Sequence, residues 1–250
     1  MALLDISGRR IEVETIAGAS ERPALLLLHE GLGSVAMWRD FPQKLAAATR
    51  CAVTVYSRAG YGRSGPRDGT YGADYMHREA LEILPQLIAT LGLAAPVLVG
   101  HSDGASIALI HAGAGHRVRG LVLEAPHVFV EQISLDAIAA ARTAYASGDL
   151  KRRLARYHED VESAFRGWND AWLAPEFRFW NIEAWLLGIS CPVQLIQGNA
   201  DPYGSLAQLD AIERGIAGPC ERVVLDCGHA PHREAEASTL AAMTDFIGRL

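Results

Sequence analysis

The stretch Gly100-His101-Ser102-Asp103-Gly104 decides the fold of this chain, because of what lies on either side of it. It follows an apolar run at 96–99 and precedes a run at 105–112 with the composition of a buried helix. A serine in a G-x-S-x-G turn between a strand and a helix has strained backbone and an exposed hydroxyl. The glycines two residues before and after it allow neighbouring backbone to approach closely. The pattern predicts a strand, a sharp turn and a helix, with Ser102 as a candidate nucleophile.

Two later loops offer the partners that a nucleophilic serine needs, a base and an acid that orients it. Asp201 follows an apolar run at 193–198, and His229 follows another at 222–226. In a parallel α/β sheet the carboxyl ends of the strands meet at one edge, so these loops are expected beside Ser102. The order Ser, Asp, His is the one that a strand–turn–helix nucleophile requires. Ser102, Asp201 and His229 therefore form the predicted catalytic triad.

Other residues compete for these roles. Glu124, at the end of the strand before the predicted cap, is a rival orienting acid, and His232 is a rival base. Cys227, His229 and His232 lie close together in sequence, but no nearby pair of ligands completes a zinc pattern. We expect no metal and no organic cofactor.

The oxyanion formed by attack on a carbonyl needs two preorganised donors. We expect one from the backbone N–H of Asp103, which follows the nucleophile, and one from Gly31, which lies two residues past a strand end. Glu30, beside Gly31, either repels anionic substrates at the mouth of the site or points away into a salt bridge.

Strand-like and helical runs alternate along the chain. A small N-terminal hairpin is expected around Ser7-Gly8-Arg9. The predicted strands then cover 24–29, 52–57, 96–100, 120–125, 193–198 and 222–226, and the predicted helices between and after them cover 41–48, 75–91, 105–114, 205–216 and 236–250. Continuously apolar strands alternating with helices predict an α/β fold with a mostly parallel central sheet flanked by helices.

The segment 127–188 breaks this alternation, because it holds helical periods and no strand-like run. Those periods cover 133–146, 150–158, 161–173 and 177–187. We expect an all-helical cap inserted after the sixth strand, with residues 1–126 and 189–250 as the core. The cap holds four of the five tryptophans, which are candidate substrate-binding residues together with Glu30: Trp168, Trp172, Trp180 and Trp185.

Composition excludes several classes of partner. The chain has 250 residues, 50% of them hydrophobic, and a net charge of −6 without a Lys/Arg block, so nucleic acid and acidic membrane surfaces are poor partners. The N-terminal residues lack the pattern of a signal peptide, and the four cysteines show no zinc-type pairing. We expect a cytoplasmic protein with a small-molecule substrate, and a homodimer is compatible with the sequence.

Over essentially its whole length the sequence resembles the serine α/β-hydrolase superfamily, and within it the small capped esterases and carbon–carbon bond hydrolases. The matching motifs are His29-Glu30-Gly31 with Trp38, Arg58-Ala59-Gly60-Tyr61-Gly62-Arg63-Ser64, Gly100-His101-Ser102-Asp103-Gly104, Gly198-Asn199-Ala200-Asp201 and Gly228-His229. The resemblance implies Ser102 as nucleophile, His229 as base, Asp201 as acid, and the Gly31 and Asp103 amides as the oxyanion hole. Glu30 departs from it, because a glycine is usual there.

The expected function is hydrolysis of carboxylic esters of small hydrophobic or aromatic compounds through an acyl-enzyme on Ser102. Carbon–carbon bond hydrolysis of ring-cleavage products, thioesterase activity and lactonase activity are alternatives. A non-catalytic receptor that binds a small ligand in the same pocket is an alternative of another class.

Overall fold

The computed structural model describes residues 2–67, 69 and 71–250. Within them an eight-stranded sheet forms the centre of the molecule. Its strands are β1 (Ala2–Ile6), β2 (Arg9–Ile16), β3 (Leu25–Leu28), β4 (Val53–Ser57), β5 (Val97–His101), β6 (Gly120–Glu124), β7 (Val193–Gly198) and β8 (Cys220–Leu225). They lie in the order β1-β2-β4-β3-β5-β6-β7-β8. The pairs β1–β2 and β2–β4 are antiparallel and the others are parallel.

The predicted hairpin joins β1 to β2. Ser7 and Gly8 at its tip both have positive φ, 54° and 80°, which is the sign that a type I′ turn requires at its two central positions. The predicted α/β fold with a mostly parallel sheet is confirmed, and the strand positions agree within a few residues.

Helices cover both faces of the sheet, because the middle strands are apolar on both sides. Leu25 and Leu27 pack with α1 (Phe41–Thr49) and α11 (Glu236–Gly248) on one face, whereas Leu26 and Leu28 pack on the other. The remaining helices of the core are α2 (Tyr75–Arg78), α3 (Leu84–Thr90), α4 (Asp103–Gly113), α9 (Ala207–Gly215) and α10 (Pro231–Glu234). A π-helical segment, Glu79–Ile83, joins α2 to α3, so the predicted helix 75–91 is irregular in its middle.

The chain between β6 and β7 is almost entirely helical. It contains α5 (Gln132–Ala146), α6 (Asp149–Leu154), α7 (Val161–Trp172), a 3₁₀ turn at Pro175–Phe179 and α8 (Glu183–Leu186). The helix predicted over 177–187 is wrong, because the backbone becomes extended at Trp180 and Asn181 forms a β-bridge with Phe129. We use the term cap for residues 127–188; their separation from the core as a domain stays a prediction.

In the part of the chain that the structure describes, no helix has the length and apolarity needed to cross a bilayer.

Candidate active site

The turn between β5 and α4 holds Ser102 in strained backbone. Its φ is 54° and its ψ is −116°, a region that side-chain-bearing residues rarely adopt. The turn is closely packed: a Cβ on Gly104 would lie 2.1 Å from the Leu28 carbonyl oxygen, and one on Gly100 would lie 2.5 Å from the Gly104 carbonyl oxygen. The Ser102 amide donates to the Glu124 carbonyl over 2.8 Å. Neighbouring backbone thus leaves room only for glycine around the strained serine.

His229 is held by Asp201. Its Nδ1 lies 2.9 and 2.8 Å from the two carboxylate oxygens of Asp201, and this nitrogen donates because a carboxylate only accepts. The Tyr203 amide and the Gln197 side chain also donate to Asp201, over 2.8 and 2.7 Å. Burial raises the pKa of Asp201, but the His229 hydrogen bond and charge outweigh it and leave the pKa below its usual value. The arrangement leaves Nε2 of His229 as the nitrogen that can accept a proton.

The rival residues form a separate pair. Oε2 of Glu124 accepts from the backbone N–H of His232 over 2.9 Å and from its Nδ1 over 3.0 Å. The His232 ring packs against Trp38, with the ring centroids 4.6 Å apart. Glu124 and His232 are therefore engaged with each other, and the carboxylate on His229 is that of Asp201.

Arg58 connects the loop after β3 to the turn after β5. Its guanidinium donates to the carbonyls of His29 and Glu30 over 2.9 and 3.0 Å, and Nη2 lies 3.6 Å from Oδ2 of Asp103. Tyr75 donates to the same oxygen over 2.5 Å. Burial raises the pKa of Asp103, and the Arg58 charge offsets part of that effect. The two segments that carry the predicted oxyanion donors, Gly31 and Asp103, are thus linked by one buried guanidinium.

Glu30 both faces the site and forms an ion pair. Its Oε2 lies 3.6 Å from Nδ1 of His101, the residue before Ser102, and Nε2 of His101 donates to the His229 carbonyl over 2.7 Å. Burial lowers the pKa of His101, but Glu30 outweighs this and raises it to about 9. For Glu30, burial raises the pKa and His101 then brings it well below its usual range. Both pKa shifts favour the charged forms, a carboxylate on Glu30 and an imidazolium on His101.

A cavity of about 210 Å³, which we call the catalytic cavity, opens between the sheet and the cap. Ser102, His229, Glu30 and Gly31 all line it. The remainder of its wall is largely apolar and comprises Leu32, Met37, His127, Ser134, Ile138, Leu150, Leu154, Trp168, Trp172 and Tyr203. Its shape and lining are those of a pocket for a small, mostly apolar molecule.

The structure brings two of the four cap tryptophans to this cavity. The indole of Trp168 packs directly on Gly31, where a Cβ would lie 2.1 Å from its Nε1. Trp172 donates from Nε1 to the Tyr75 hydroxyl over 2.9 Å. The expectation that Trp180 and Trp185 bind substrate does not agree with this geometry. Trp180 is buried against Phe177, with ring centroids 5.4 Å apart, and Trp185 packs beside Gly113 and His77.

Sequence reasoning missed several residues of the site. Arg58 was part of a motif but had no assigned role, and Met37, His127 and Tyr203 were not singled out. His127 follows the end of β6 closely, and that position at the carboxyl edge of the sheet is a signal for a site residue. Burial lowers the pKa of His127 to about 4, so its imidazole is neutral beside the cavity.

Among the described residues no group of three or more His, Cys, Asp and Glu side chains is arranged to hold a metal ion. His229 and His232, which are close in sequence, are directed at different carboxylates.

Known proteins share parts of this sequence and its fold. The chain is 24% identical over 195 residues to protein phosphatase methylesterase 1 of Mus musculus, a match that covers 77% of this chain and 47% of the mouse protein. The bovine (Bos taurus) protein of the same name is also 24% identical over 195 residues, a match that covers 77% of this chain and 48% of the bovine protein. The matched region thus spans about half the length of these relatives.

Two solved structures superpose along almost the entire chain. A hydrolase from Pseudomonas aeruginosa PA01 gives a TM-score of 0.79 at 22% identity and covers 99% of this chain and 98% of its own. The enol-lactonase from Burkholderia xenovorans LB400 gives a TM-score of 0.77 at 20% identity, and the superposition covers 98% of this chain and 99% of the lactonase. At such identities these likenesses show the fold.

The sequence model of the alpha/beta hydrolase family matches residues 25–242, which include every strand from β3 to β8 and all the loops that form the catalytic cavity. The chain therefore belongs to the alpha/beta hydrolase family.

Proposed function

We propose that this protein is a serine hydrolase that cleaves carboxylic esters with apolar acyl groups, including cyclic esters. One observation carries the proposal: strained Ser102 and His229 line the same cavity, and His229 is oriented by a buried carboxylate. That set of groups is what nucleophilic acyl transfer requires.

The reaction proceeds in two halves. Oγ of Ser102 attacks the ester carbonyl carbon while Nε2 of His229 takes the hydroxyl proton, and a tetrahedral oxyanion forms. The C–O bond to the alcohol then breaks, and His229 returns the proton to the leaving oxygen. A water molecule attacks the acyl-enzyme in the same way, which releases the carboxylic acid and restores Ser102.

The oxyanion is stabilised by the backbone N–H groups of Gly31 and Asp103. Such donors are effective when they are fixed before the reaction, because no reorganisation is then needed as charge develops. Arg58 serves as a positioning residue, since it contacts the carbonyls of His29 and Glu30 and the side chain of Asp103.

The lining of the cavity supports an apolar acyl group, because burial of apolar surface contributes roughly 25 cal/mol per Å². The names of similar proteins are consistent with ester and lactone chemistry: a methylesterase, an enol-lactonase and an enzyme described as degrading N-acyl homoserine lactone. Relative kcat/KM values on matched esters, lactones and thioesters will rank these substrates.

Replacing the nucleophile tests the proposal directly. We expect Ser102→Ala to abolish turnover of p-nitrophenyl esters and labelling by a fluorophosphonate probe, with the fold intact by circular dichroism. Ser134→Ala is the matched control, because Ser134 lines the same cavity but its hydroxyl donates to the Tyr203 carbonyl. Labelling that survives in Ser102→Ala and disappears in Ser134→Ala would overturn the assignment. Repeated rather than single turnover distinguishes an enzyme from a receptor.

The orienting acid is tested by amide replacements. Asp201→Asn is expected to lower kcat by about 10⁴, the effect of the same replacement in serine proteases, because an amide in place of the acid favours the wrong tautomer of the histidine. Glu124→Gln is expected to lower kcat far less, because Glu124 contacts His232 rather than His229. Steady-state kinetics on one ester compares the two variants, and the opposite ranking would assign the role to Glu124.

Glu30 is proposed to hold His101 beneath the site rather than to repel substrate. Folding raises the pKa of His101 from about 6.5 to about 9. The ion pair therefore contributes its full stabilisation below pH 6.5, and this stabilisation is lost as the pH rises through about 9. We therefore expect Glu30→Gln to lower the free energy of unfolding by on the order of 3 kcal/mol at pH 6. The difference should shrink steadily between pH 6.5 and 9.5.

Urea denaturation across this pH range measures the effect, and exposed Glu176→Gln is the control. A Glu30→Gln penalty that is constant from pH 6 to 9.5 would contradict the ion-pair role.

The two tryptophans of the cavity should determine acyl preference. We expect Trp168→Ala and Trp172→Ala to change the ranking of acetyl, hexanoyl and benzoyl esters by kcat/KM. Trp180→Ala and Trp185→Ala are the controls, and they should lower the melting temperature but preserve the ranking, because neither side chain lines the cavity. If all four variants preserve the ranking, the cap does not select the acyl group.

A further inference from the structure

A second cavity, of about 390 Å³, adjoins the catalytic cavity. The two share Met37, Leu150 and Leu154 in their walls. Leu150 and Leu154 are four residues apart on α6, so they lie on one face of that helix. The rest of the second cavity is basic and includes one aromatic ring: its other lining residues are Arg39, Arg153, Arg156, Tyr157 and Arg233. We call it the arginine cleft.

None of the four arginines has a side-chain hydrogen bond or ion pair with another residue in the described ranges, and none of the residues that line the cleft is acidic. Two other arginines in the same region do have carboxylate partners. Arg152, next to Arg153, pairs with Asp149 over 2.7 Å, and Arg166 pairs with Glu162 over 2.5 Å.

The carboxylates adjacent in sequence to Arg39 and Arg233 are occupied elsewhere. Asp40, beside Arg39, pairs with Lys44 over 3.0 Å. Glu234, beside Arg233, accepts the backbone N–H groups of Gly228 and Ala230 over 2.8 and 3.0 Å. The chain carries 23 basic and 29 acidic residues, so four unpaired arginines around one cleft are not a consequence of a basic composition.

Grouped like charges repel one another, and they attract an anion most strongly where they surround a concave surface. Arginine presents a planar set of donors that fits two oxygens of a phosphate at once. A phosphate or pyrophosphate group is therefore the ligand chemistry that matches the cleft.

We propose that the arginine cleft binds a phosphate-bearing portion of the substrate while the acyl group occupies the catalytic cavity. This inference rests on the proposed ester hydrolase function and specifies its substrate class: an acyl ester or thioester whose leaving group carries phosphate at a distance from the reacting carbonyl. The shared wall of Met37, Leu150 and Leu154 is the apolar surface over which such a molecule passes from one cavity to the other.

Two matched pairs of substrates test the proposal, and they distinguish a phosphate carried by coenzyme A from one carried by a glycerol lipid. Octanoyl-coenzyme A is compared with S-octanoyl-N-acetylcysteamine, the same thioester without phosphate. In the second pair 1-octanoylglycerol 3-phosphate is compared with 1-octanoylglycerol. For at least one pair we expect the phosphorylated member to have a kcat/KM about tenfold higher, mostly through KM, since a contact made equally in the ground state and the transition state changes KM and leaves kcat unchanged. The pair that shows the preference identifies the source.

Variants assign the preference to the cleft. Arg153→Ala and Arg156→Ala should each lower the ratio of phosphorylated to neutral kcat/KM by about 1.5- to 5-fold, the range for exposed charge pairs, and the double variant should remove most of the roughly tenfold preference. Arg152→Ala is the matched control on the same helix and should leave the ratio unchanged, because Arg152 does not line the cleft. Salt should lower the wild-type ratio, since exposed charges are screened within about 8 Å at physiological ionic strength.

A binding experiment separates failure of this inference from failure of the proposed function. Calorimetric titration of Ser102→Ala with pyrophosphate should show binding that the added Arg153→Ala and Arg156→Ala changes abolish. If pyrophosphate binds but no ester or thioester is turned over, the hydrolase proposal fails and the anion site remains. If esters are hydrolysed, yet no pair shows a preference and pyrophosphate does not bind, the arginine cleft has no role in substrate binding.

Discussion

The site depends on one tightly packed turn. Ser102 has a φ of 54°, and strain of this kind costs of order 1–3 kcal/mol, so the surrounding structure must enforce it. Three strands hold the serine in this conformation. Gly104 lies against the end of β3, and the Ser102 amide donates to the Glu124 carbonyl at the end of β6. The third strand, β5, leads directly into the turn. Because these strands are parallel neighbours, the same packing that strains the serine also collects the loops that surround it.

A second constraint is the need to pair charges that the fold buries. Arg58 is almost fully buried, and it contacts two carbonyls and the Asp103 side chain. Glu124 with His232 and Glu30 with His101 lie beneath the same edge of the sheet. An unpaired buried charge is strongly unfavourable, so removal of one partner is costly. The loop after β3, the turn after β5 and the loop after β8 are therefore coupled electrostatically as well as by packing.

Much of the fold could be predicted from sequence, since strands such as Leu25–Leu28 and Val97–His101 are continuous apolar runs with clear boundaries. Ser102, Asp201 and His229 could be proposed because the ends of parallel strands meet at one edge, and the structure does place Asp201 on His229. The pairing of Glu124 with His232 was not predictable, because both residues also satisfied the pattern expected for a triad. The role of Arg58 could not be predicted, because nothing in the sequence distinguishes a buried arginine from an exposed one.

The cap shows why helical periodicity is not enough to assign a binding residue. Trp172 is the last residue of α7 and lines the cavity. Trp180 follows the next 3₁₀ turn and packs on Phe177, and hydrophobic spacing does not reveal that turn. The four arginines of the cleft come from three separate segments, residues 39, 153–156 and 233. A basic run at 151–156 marks only the middle segment in the sequence. That none of them pairs with a carboxylate of the described residues is visible only in the folded structure. An apolar cavity joined to a basic one at a shared apolar wall is the reason why the substrate that we propose is amphipathic, with its reacting carbonyl between two dissimilar ends.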